Sequence, residues 1–384
     1  MALKAARRGK VPPFIVMDVM RAAAEREAAG GEVLHMEVGQ PGTAAPPAVL
    51  EAVRRALDAD RVGYTLAQGI EPLRWRIARH YRDSYGVEVD PARVMVTTGS
   101  SGGFLLSFLS AFEAGDRVAL AAPGYPAYRN ILTALGVEPV LIPTEAEHRF
   151  QPTPALLDRV AGPLDGLIVA SPSNPTGTML DRGQFAALVE YCAARGLRLI
   201  SDEIYHGIAY EEPAVTALAL TEDAIVINSF SKYFSMTGWR LGWMVLPEDL
   251  LRPVECLAQN LFISPPTLSQ LGGLAAFDAT EVLEGYVANY ARNRAFLLEA
   301  LPAAGFDRLA PADGAFYLYA DVGHLTNDSE AFCRRMLAET GVATTPGLDF
   351  DPERGHRFVR FSFAGTEAVM RAAARRLHDW LKNG

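Results

Sequence analysis

The chain has 384 residues, of which 49% are hydrophobic, and a formal net charge of −9 at pH 7. A chain of this length can form more than one domain and bury a large core. The acidic balance and the lack of a long basic run argue against nucleic acid or an anionic membrane surface as the main partner.

The sequence gives little indication of a transmembrane helix, a secretory signal or a metal site. No apolar run reaches the ~18 residues that a transmembrane helix needs. The basic residues near the N-terminus precede a short apolar stretch that Asp18 interrupts, so we expect no secretory signal. Three widely spaced cysteines without a CxxC pair suit a reducing cytosol and predict a cytoplasmic protein. The seven histidines show no HExxH or other close ligand spacing, so we predict no catalytic metal.

From residue 93 onward, short β-rich runs alternate with amphipathic stretches. This alternation predicts an α/β fold in which βαβ units form a mostly parallel sheet with helices on both faces. One amphipathic helix is predicted from Gln184 to Arg195. The predicted strands cover residues 93–98, 117–121, 138–142, 166–170, 197–201 and 224–228.

A small Gly/Ser turn follows the first of these strands. Gly99-Ser100-Ser101-Gly102 stands before an apolar stretch, Phe104 to Phe112, that reads as a helix. Such a turn at a helix N-terminus offers unpaired N–H groups and the positive end of the helix dipole to an anion. Neither GxGxxG nor GxxxxGK[ST] is present, which argues against a dinucleotide or a nucleoside triphosphate. Alone, such a turn is more often a plain strand-to-helix connection, but together with SFSK (229–232) and Arg240 it favours a phosphate.

Polar side chains follow two later strands. SPSNPTG (171–177) comes directly after the apolar run 167–170. SDEIY (201–205) likewise comes directly after the β-rich run 197–200. In open α/β sheets ligands bind outside the carboxyl ends of the strands, so Asn174, Asp202 and Tyr205 are predicted to share one rim.

Lys232 lies in the run SFSKYFSMTGWR (229–240), together with Ser229, Ser231 and Arg240. A lysine that desolvation or a nearby cation deprotonates can form a Schiff base with a carbonyl. The hydroxyls and the guanidinium around it suit a phosphate. The run therefore predicts that a phosphorylated aldehyde is held beside the amine that captures it.

After Pro265-Pro266 the sequence pattern changes. It predicts one long helical stretch over about 267–301, strands near 314–320 and 357–363, and a terminal helix over about 366–382.

Together these motifs resemble the class I/II aminotransferases, members of the fold type I family of pyridoxal-phosphate enzymes. The resemblance implies a large domain, 36–275, with a mostly parallel seven-stranded sheet that includes an antiparallel strand within 240–246. It also implies a smaller α+β domain, 1–35 with 276–384, that closes over the site. The matching segments are VGQPG (38–42), YTLAQGIEPLR (64–74), TTGSSGG (97–103), PGYPAY (123–128) and VRFSFA (359–364).

The resemblance implies pyridoxal 5'-phosphate as cofactor and suggests a role for each matching residue. Lys232 would hold the cofactor as a Schiff base and move the substrate's proton, and Asp202 would keep the ring nitrogen protonated. Asn174 and Tyr205 would bond the phenolic oxygen, and Tyr125 would stack on the ring. The groups expected to bind the phosphate are Ser100, Ser101, Gly102, Ser229, Ser231 and Arg240.

Other matches concern the substrate and the assembly. Arg360 of VRFSFA would bind the substrate's α-carboxylate, helped by Asn174 and a backbone amide near Gly39. Tyr64 matches a tyrosine that reaches the cofactor phosphate of the neighbouring subunit, which implies a homodimer with shared sites.

The expected reaction moves an amino group from an L-amino acid to a 2-oxo acid, with 2-oxoglutarate as the expected acceptor. The residues expected near the substrate side chain, Phe14, Ile15 and Val38, are apolar, which favours a neutral or aromatic donor. A carbon–sulfur lyase or another elimination enzyme is the alternative, because fold and motif do not separate these reactions. A regulator that binds the cofactor would need an added DNA-binding segment, for which the N-terminus is expected to be too short. A nicotinamide oxidoreductase would need GxGxxG after the first strand, and this sequence does not have it there.

Overall fold

The computed structural model describes residues 3–60 and 62–383, so residues 1, 2, 61 and 384 lie outside it. The strands within these ranges are β1 Leu34–His35, β2 Val94–Thr97, β3 Arg117–Ala122, β4 Glu138–Pro143, β5 Gly166–Ala170, β6 Arg198–Asp202, β7 Ile225–Ser229, β8 Gly242–Val245, β9 Tyr317–Asp321, β10 Val342–Ala343, β11 Thr345–Pro346 and β12 Phe358–Ser362. The helices are α1 Ile15–Ala28, α2 Pro47–Asp58, α3 Glu71–Tyr85, α4 Gly99–Ala111, α5 Pro126–Leu135, α6 Pro154–Leu157, α7 Arg182–Arg195, α8 Leu251–Leu261, α9 Thr267–Ala276, α10 Thr280–Ala303, α11 Ser329–Thr340 and α12 Glu367–Asn383.

Seven strands form the central sheet, in the order β2-β8-β7-β6-β5-β3-β4. Strand β8 is antiparallel to both of its neighbours, and the other pairs are parallel. Ile225 and Ile227 of β7 pack into one apolar core and Val226 packs into another, so both faces of the sheet are covered. The predicted mostly parallel seven-stranded sheet is confirmed, including the antiparallel strand.

Helix α7 shows how local sequence sets an element's ends. The Asp181 carboxylate accepts a hydrogen bond from the Gln184 backbone N–H, and the Gln184 side chain accepts one from the Asp181 N–H. This capping box starts the helix two residues before the predicted position. Gly196, with φ +66°, ends it in a left-handed conformation that favours glycine.

A second, antiparallel sheet has the strand order β11-β12-β9. Phe316, Leu318 and Phe361 build its core against Leu297 of α10 and Leu377 of α12. The short parallel pairing of β1 with β10 connects the N-terminal segment to this part of the chain. The division into domains 36–275 and 1–35 with 276–384 stays a prediction.

The single helical stretch predicted over 267–301 is wrong, because the chain breaks it into α9 and α10. The break falls at Phe277, whose carbonyl accepts a hydrogen bond of 3.1 Å from Arg76 instead of continuing the helical ladder. The Phe277 ring packs against Phe234, with ring centroids 4.9 Å apart. No helix within the described ranges is long and apolar enough to cross a bilayer.

Candidate active site

A cavity of about 260 Å³ opens at the carboxyl ends of the parallel strands. Larger clefts lie elsewhere on the molecule, but none of them contains a site residue predicted from the sequence. The predicted residues that line the cavity are Gly39, Ser100, Ser101, Tyr125, Asn174, Asp202, Tyr205, Ser231, Lys232, Arg240 and Arg360. The structure therefore brings most of the predicted set together from segments that are distant in sequence.

The Lys232 amine projects into this cavity from the loop that follows β7. It donates a 2.5 Å hydrogen bond to the Gly39 carbonyl and lies 5.7 Å from the centroid of the Tyr205 ring. Burial, followed by the Arg360 charge, lowers the pKa of Lys232 to about 8, against the opposing effect of Asp202. About a tenth of an amine with this pKa is neutral, and nucleophilic, at pH 7, far more than for an ordinary lysine.

Asp202 ends β6 and is 3% exposed. Its carboxylate accepts hydrogen bonds from the Tyr128 hydroxyl and, at 3.1 Å, from the Ile204 N–H. Burial raises the pKa of Asp202 to about 6, against the opposing effect of these bonds and of Lys232. Tyr128 was not predicted as a site residue, although it is the second tyrosine of the PGYPAY segment.

Tyr205 and Tyr317 share a hydroxyl–hydroxyl hydrogen bond of 2.6 Å. Tyr317 begins β9 and was not predicted as a site residue, because its sequence surroundings read only as a strand. A Cβ added to Gly39 would lie 2.1 Å from the Tyr317 hydroxyl. Glycine is therefore required at position 39 for the segment after β1 to pass so close to β9.

Arg360 lies on β12 and is 3% exposed. It donates to Asn174 Oδ1 at 2.8 Å, to the Glu37 carbonyl, and to Thr345 Oγ1 at 3.2 Å. The guanidinium carbon lies 4.4 Å from the Tyr317 ring centroid. Within the described residues Arg360 Nε has no hydrogen-bond partner, although it is buried. The side chain is thus held rigidly while part of its donor capacity stays unused, as suits an anion receptor.

A group of donors for an anion lies at the start of α4. Ser100 and Ser101 stand in the first turn of the helix, whose N–H groups have no helical partner. A Cβ on Gly99, which has φ +70°, would lie 2.6 Å from Arg240 Nη2, so the guanidinium lies against this helix start. Ser231 lines the same cavity.

Three predicted residues lie outside the cavity wall. Gly102 is already the fourth residue of α4, because the helix starts at Gly99 and not after the Gly/Ser turn. Ser229 supports the lysine loop, since its hydroxyl accepts from the Ser231 N–H at 3.0 Å and donates to the Leu241 carbonyl at 3.2 Å. Tyr64 is 84% exposed. Their assignment to the site stays a prediction.

Tyr125 closes one side of the cavity. Its ring is perpendicular to that of Tyr128, with centroids 5.3 Å apart, and lies 5.9 Å from that of Phe14. Burial raises the pKa of Tyr125 to about 12, so it stays neutral. Phe14 and Val38 line the cavity as expected, whereas Val16 takes the place expected for Ile15.

Comparison with known proteins agrees with this geometry. The family described as aminotransferase class I and II matches residues 31–377. A valine–pyruvate aminotransferase of Mycobacterium tuberculosis is 52% identical over 98% of both chains, and an aspartate/prephenate aminotransferase of Thermus thermophilus is 32% identical over 95% of both. The crystal structure of an aminotransferase from Mycobacterium tuberculosis superposes with a TM-score of 0.98 at 51% identity, with both chains fully covered.

These relatives are all named for amino-group transfer, so the carbon–sulfur lyase alternative is not favoured. The fold type I architecture and the expected reaction, from an amino acid to a 2-oxo acid, are supported by the same comparisons. The chain belongs to the class I and II aminotransferases.

Proposed function

We propose that this aminotransferase uses pyridoxal 5'-phosphate to exchange an amino group between a neutral L-amino acid, such as valine, and a small 2-oxo acid, such as pyruvate. The observation that carries the proposal is the convergence of Lys232, Asp202 and Arg360 on one cavity. The name of the 52% identical relative supports valine and pyruvate, and it favours pyruvate over the 2-oxoglutarate expected from the sequence.

The donor set of the cavity fits this cofactor. The first-turn amides of Ser100 and Ser101, with Ser231 and Arg240, form a cluster suited to a phosphate dianion. The buried Asp202 carboxylate is placed to pair with the ring nitrogen, and Lys232 with the aldehyde. When bound, pyridoxal phosphate supplies the aldehyde carbon that receives the amino group and a protonated ring that accepts the electrons of the broken Cα–H bond.

Lys232 and Asp202 have different acid–base roles: Lys232 transfers the substrate's proton, and Asp202 keeps the ring nitrogen protonated. Near neutral pH an amine with a pKa of about 8 could take a proton from the substrate's Cα and deliver it to the carbon that takes up the amino group. Asp202 keeps a proton on the ring nitrogen, and Tyr128 holds that carboxylate in place through its hydroxyl. Tyr205, which Tyr317 orients, is placed to donate its hydroxyl proton to the phenolic oxygen.

Arg360 and Asn174 provide the site for the substrate's α-carboxylate. The 2.8 Å bond from Arg360 to Asn174 Oδ1 fixes both side chains, and the Asn174 amide NH₂ group remains available as a donor. The Gly39 carbonyl accepts a hydrogen bond from Lys232 and holds the amine next to this corner. The substrate's Cα is thereby placed beside the lysine amine.

We propose a substrate with a neutral side chain because the rest of the cavity wall is apolar. It consists of Phe14, Val16, Met17, Met20 and Val38. Among the residues that the structure describes, the cationic ones lining the cavity are Lys232, Arg240 and Arg360, and each already has a proposed role. Within this described part of one chain, a second substrate carboxylate would therefore have no cation of its own to bind.

We further propose a cytoplasmic homodimer in which Tyr64 completes the partner's phosphate site. Tyr64 is 84% exposed and Leu66 is 68% exposed, which is typical of an interaction surface. Thr267 donates a 2.6 Å hydrogen bond to the Gly63 carbonyl and holds this segment in place. The reducing location is supported by Cys192, Cys256 and Cys333, which are all unpaired.

The test is a product assay with valine, phenylalanine, aspartate and glutamate as donors, each paired with pyruvate or 2-oxoglutarate. We expect valine with pyruvate to give alanine and the branched 2-oxo acid without free ammonia. Lys232→Ala is the matched control and should form neither product. Ammonia release in place of a new amino acid, or activity confined to aspartate and glutamate, would contradict the proposal.

A further inference from the structure

A buried carboxylate from the C-terminal part of the chain caps the first helix. Helix α1 begins at Ile15, and its N-cap residue, Phe14, provides no side-chain hydrogen bond. Instead, the two carboxylate oxygens of Asp349 accept hydrogen bonds from the Ile15 N–H at 2.9 Å and from the Val16 N–H at 3.3 Å. Asp349 lies at the end of the 3-10 turn Gly347–Asp349 and is 1% exposed.

Positive groups surround this carboxylate. The helix start contributes the partial positive charge of its unpaired N–H groups. Arg129 donates a 2.7 Å hydrogen bond to the Asp349 backbone carbonyl. Both Arg129 and Arg360 favour the charged form of Asp349, although burial still raises its pKa overall. Without the Asp349 side chain, this place would favour any other anion that could reach it.

The same place lies behind the apolar wall of the active-site cavity. Phe14 and Val16, the residues on either side of Ile15, both line the cavity. The Phe14 ring lies 5.9 Å from that of Tyr125, and Asn130 donates a 3.4 Å hydrogen bond to the Pro12 carbonyl. The segment that Asp349 caps is therefore the segment that a substrate side chain would contact.

We propose that Asp349 occupies, from within the chain, the positive subsite that the second carboxylate of aspartate or glutamate would otherwise use, and so restricts the enzyme to neutral side chains. The inference rests on the proposed function, because it places the substrate side chain against this wall. Two effects act together. Asp349 satisfies the amides that could bind an incoming carboxylate, and its own charge repels one. Asp349 is thus a residue that determines specificity without taking part in the reaction.

The experiment compares Asp349→Asn and Asp349→Ala with wild type, all as holoenzymes. Asparagine removes the charge and keeps an oxygen that can accept from the helix, whereas alanine also frees both amides. The control is Asp351→Asn, which changes a carboxylate that is 3% exposed, belongs to the same loop and bonds Arg354. For each protein we would measure kcat/KM for valine and aspartate. Spectroscopic titration would give the Kd of isovalerate and succinate, which cannot react.

We expect both Asp349 variants to shift the aspartate-to-valine ratio of kcat/KM towards aspartate by at least about tenfold, since like charges at close range strongly disfavour a ligand. Succinate should bind more tightly in both, and Asp351→Asn should leave both ratios unchanged. Should the alanine variant fail to fold, the asparagine variant decides the question alone.

Two negative results have different meanings. If the Asp349 variants lose valine and aspartate activity in parallel and bind succinate no better, Asp349 only holds α1 and the inference is wrong. If wild type itself uses aspartate as well as valine, the proposed preference for neutral donors fails.

Discussion

Lys232 is a buried amine whose reactivity depends on the charges that face it. Its pKa of about 8 reflects burial and the Arg360 charge, partly offset by Asp202. At pH 7 about a tenth of such an amine is neutral, against less than ~0.1% for a lysine with an ordinary pKa. The capture of pyridoxal phosphate should follow this neutral fraction.

We therefore expect the rate at which the apoprotein captures added pyridoxal phosphate to rise with pH and to level off above about pH 8. The measurement is stopped-flow absorbance between pH 6 and 10, with borohydride reduction and peptide mapping to locate the bound group. Arg360→Gln should move the plateau to higher pH, because it removes a positive charge that lowers the pKa of Lys232. A rate that still rises at pH 10 in wild type would show that Lys232 has an ordinary pKa.

A second prediction concerns Tyr128, whose hydroxyl donates to Asp202. Tyr128→Phe removes a bond that stabilises the charged carboxylate, so the pKa of Asp202 should rise further and its hold on the ring proton should weaken. The loss of one such bond to a charged group corresponds to about 1.5–3 kcal/mol, or roughly 10- to 100-fold in rate. Asp202→Asn should cost more, on the order of 4 kcal/mol. Equal rates for wild type and Tyr128→Phe would show that Tyr128 is only a packing residue.

At the scale of elements, the segment after β1 passes close to β9 where Gly39 faces Tyr317. We expect Gly39→Ala to destabilise the protein by about 1–3 kcal/mol, because its methyl group would overlap the Tyr317 hydroxyl. Tyr317→Phe in the same chain should recover part of that loss, since the next ring atom lies 3.2 Å from the added carbon. Urea unfolding of the single and double variants measures the free energy lost in Gly39→Ala and the part that Tyr317→Phe recovers.

The control for this cycle is Gly285→Ala in α10, where an added carbon meets nothing within 4 Å and helix propensity favours alanine. If Gly39→Ala is as stable as wild type, or if Tyr317→Phe recovers nothing, the contact between these two segments does not limit residue 39.

The sequence could predict elements whose cause is local. The alternation of apolar runs predicted six of the seven strands of the central sheet, and the resemblance supplied the seventh. Asp202 ends β6 and Asn174 follows β5, where a parallel sheet places ligands. Tyr128, Tyr317 and Asp349 could not be found this way. Each acts through a partner that only the folded chain brings close, and a tyrosine inside a helix or on a strand reads as a core residue. The break after α9 was missed for the same reason, since a distant arginine takes the Phe277 carbonyl.

For the whole molecule, we predict that Lys232→Ala and Tyr64→Ala chains complement each other. A closed dimer forms two equivalent sites, and a hybrid of the two variants would contain one site with both Lys232 and the partner's phosphate ligand intact. Refolding equal amounts of the two inactive or weakened proteins together should give more activity than the sum of each refolded alone. Homodimers of each variant, refolded in the same way, are the controls. Mixtures that never exceed that sum would show that Tyr64 acts within its own chain or not at all.

The pairing of β1 with β10 has a consequence for synthesis on the ribosome. Leu34 pairs with Val342, whereas the strands of the central sheet all lie between Val94 and Val245. At about 5–20 residues per second, roughly 15–60 s pass between the synthesis of Leu34 and that of Val342. Strand β6, which ends at Asp202, and strand β7, which leads to Lys232, are complete before β1 can pair with β10. The nascent chain can thus complete the central sheet first, and the β1 end of the N-terminal segment is fixed against β10 only after nearly the whole chain has been made.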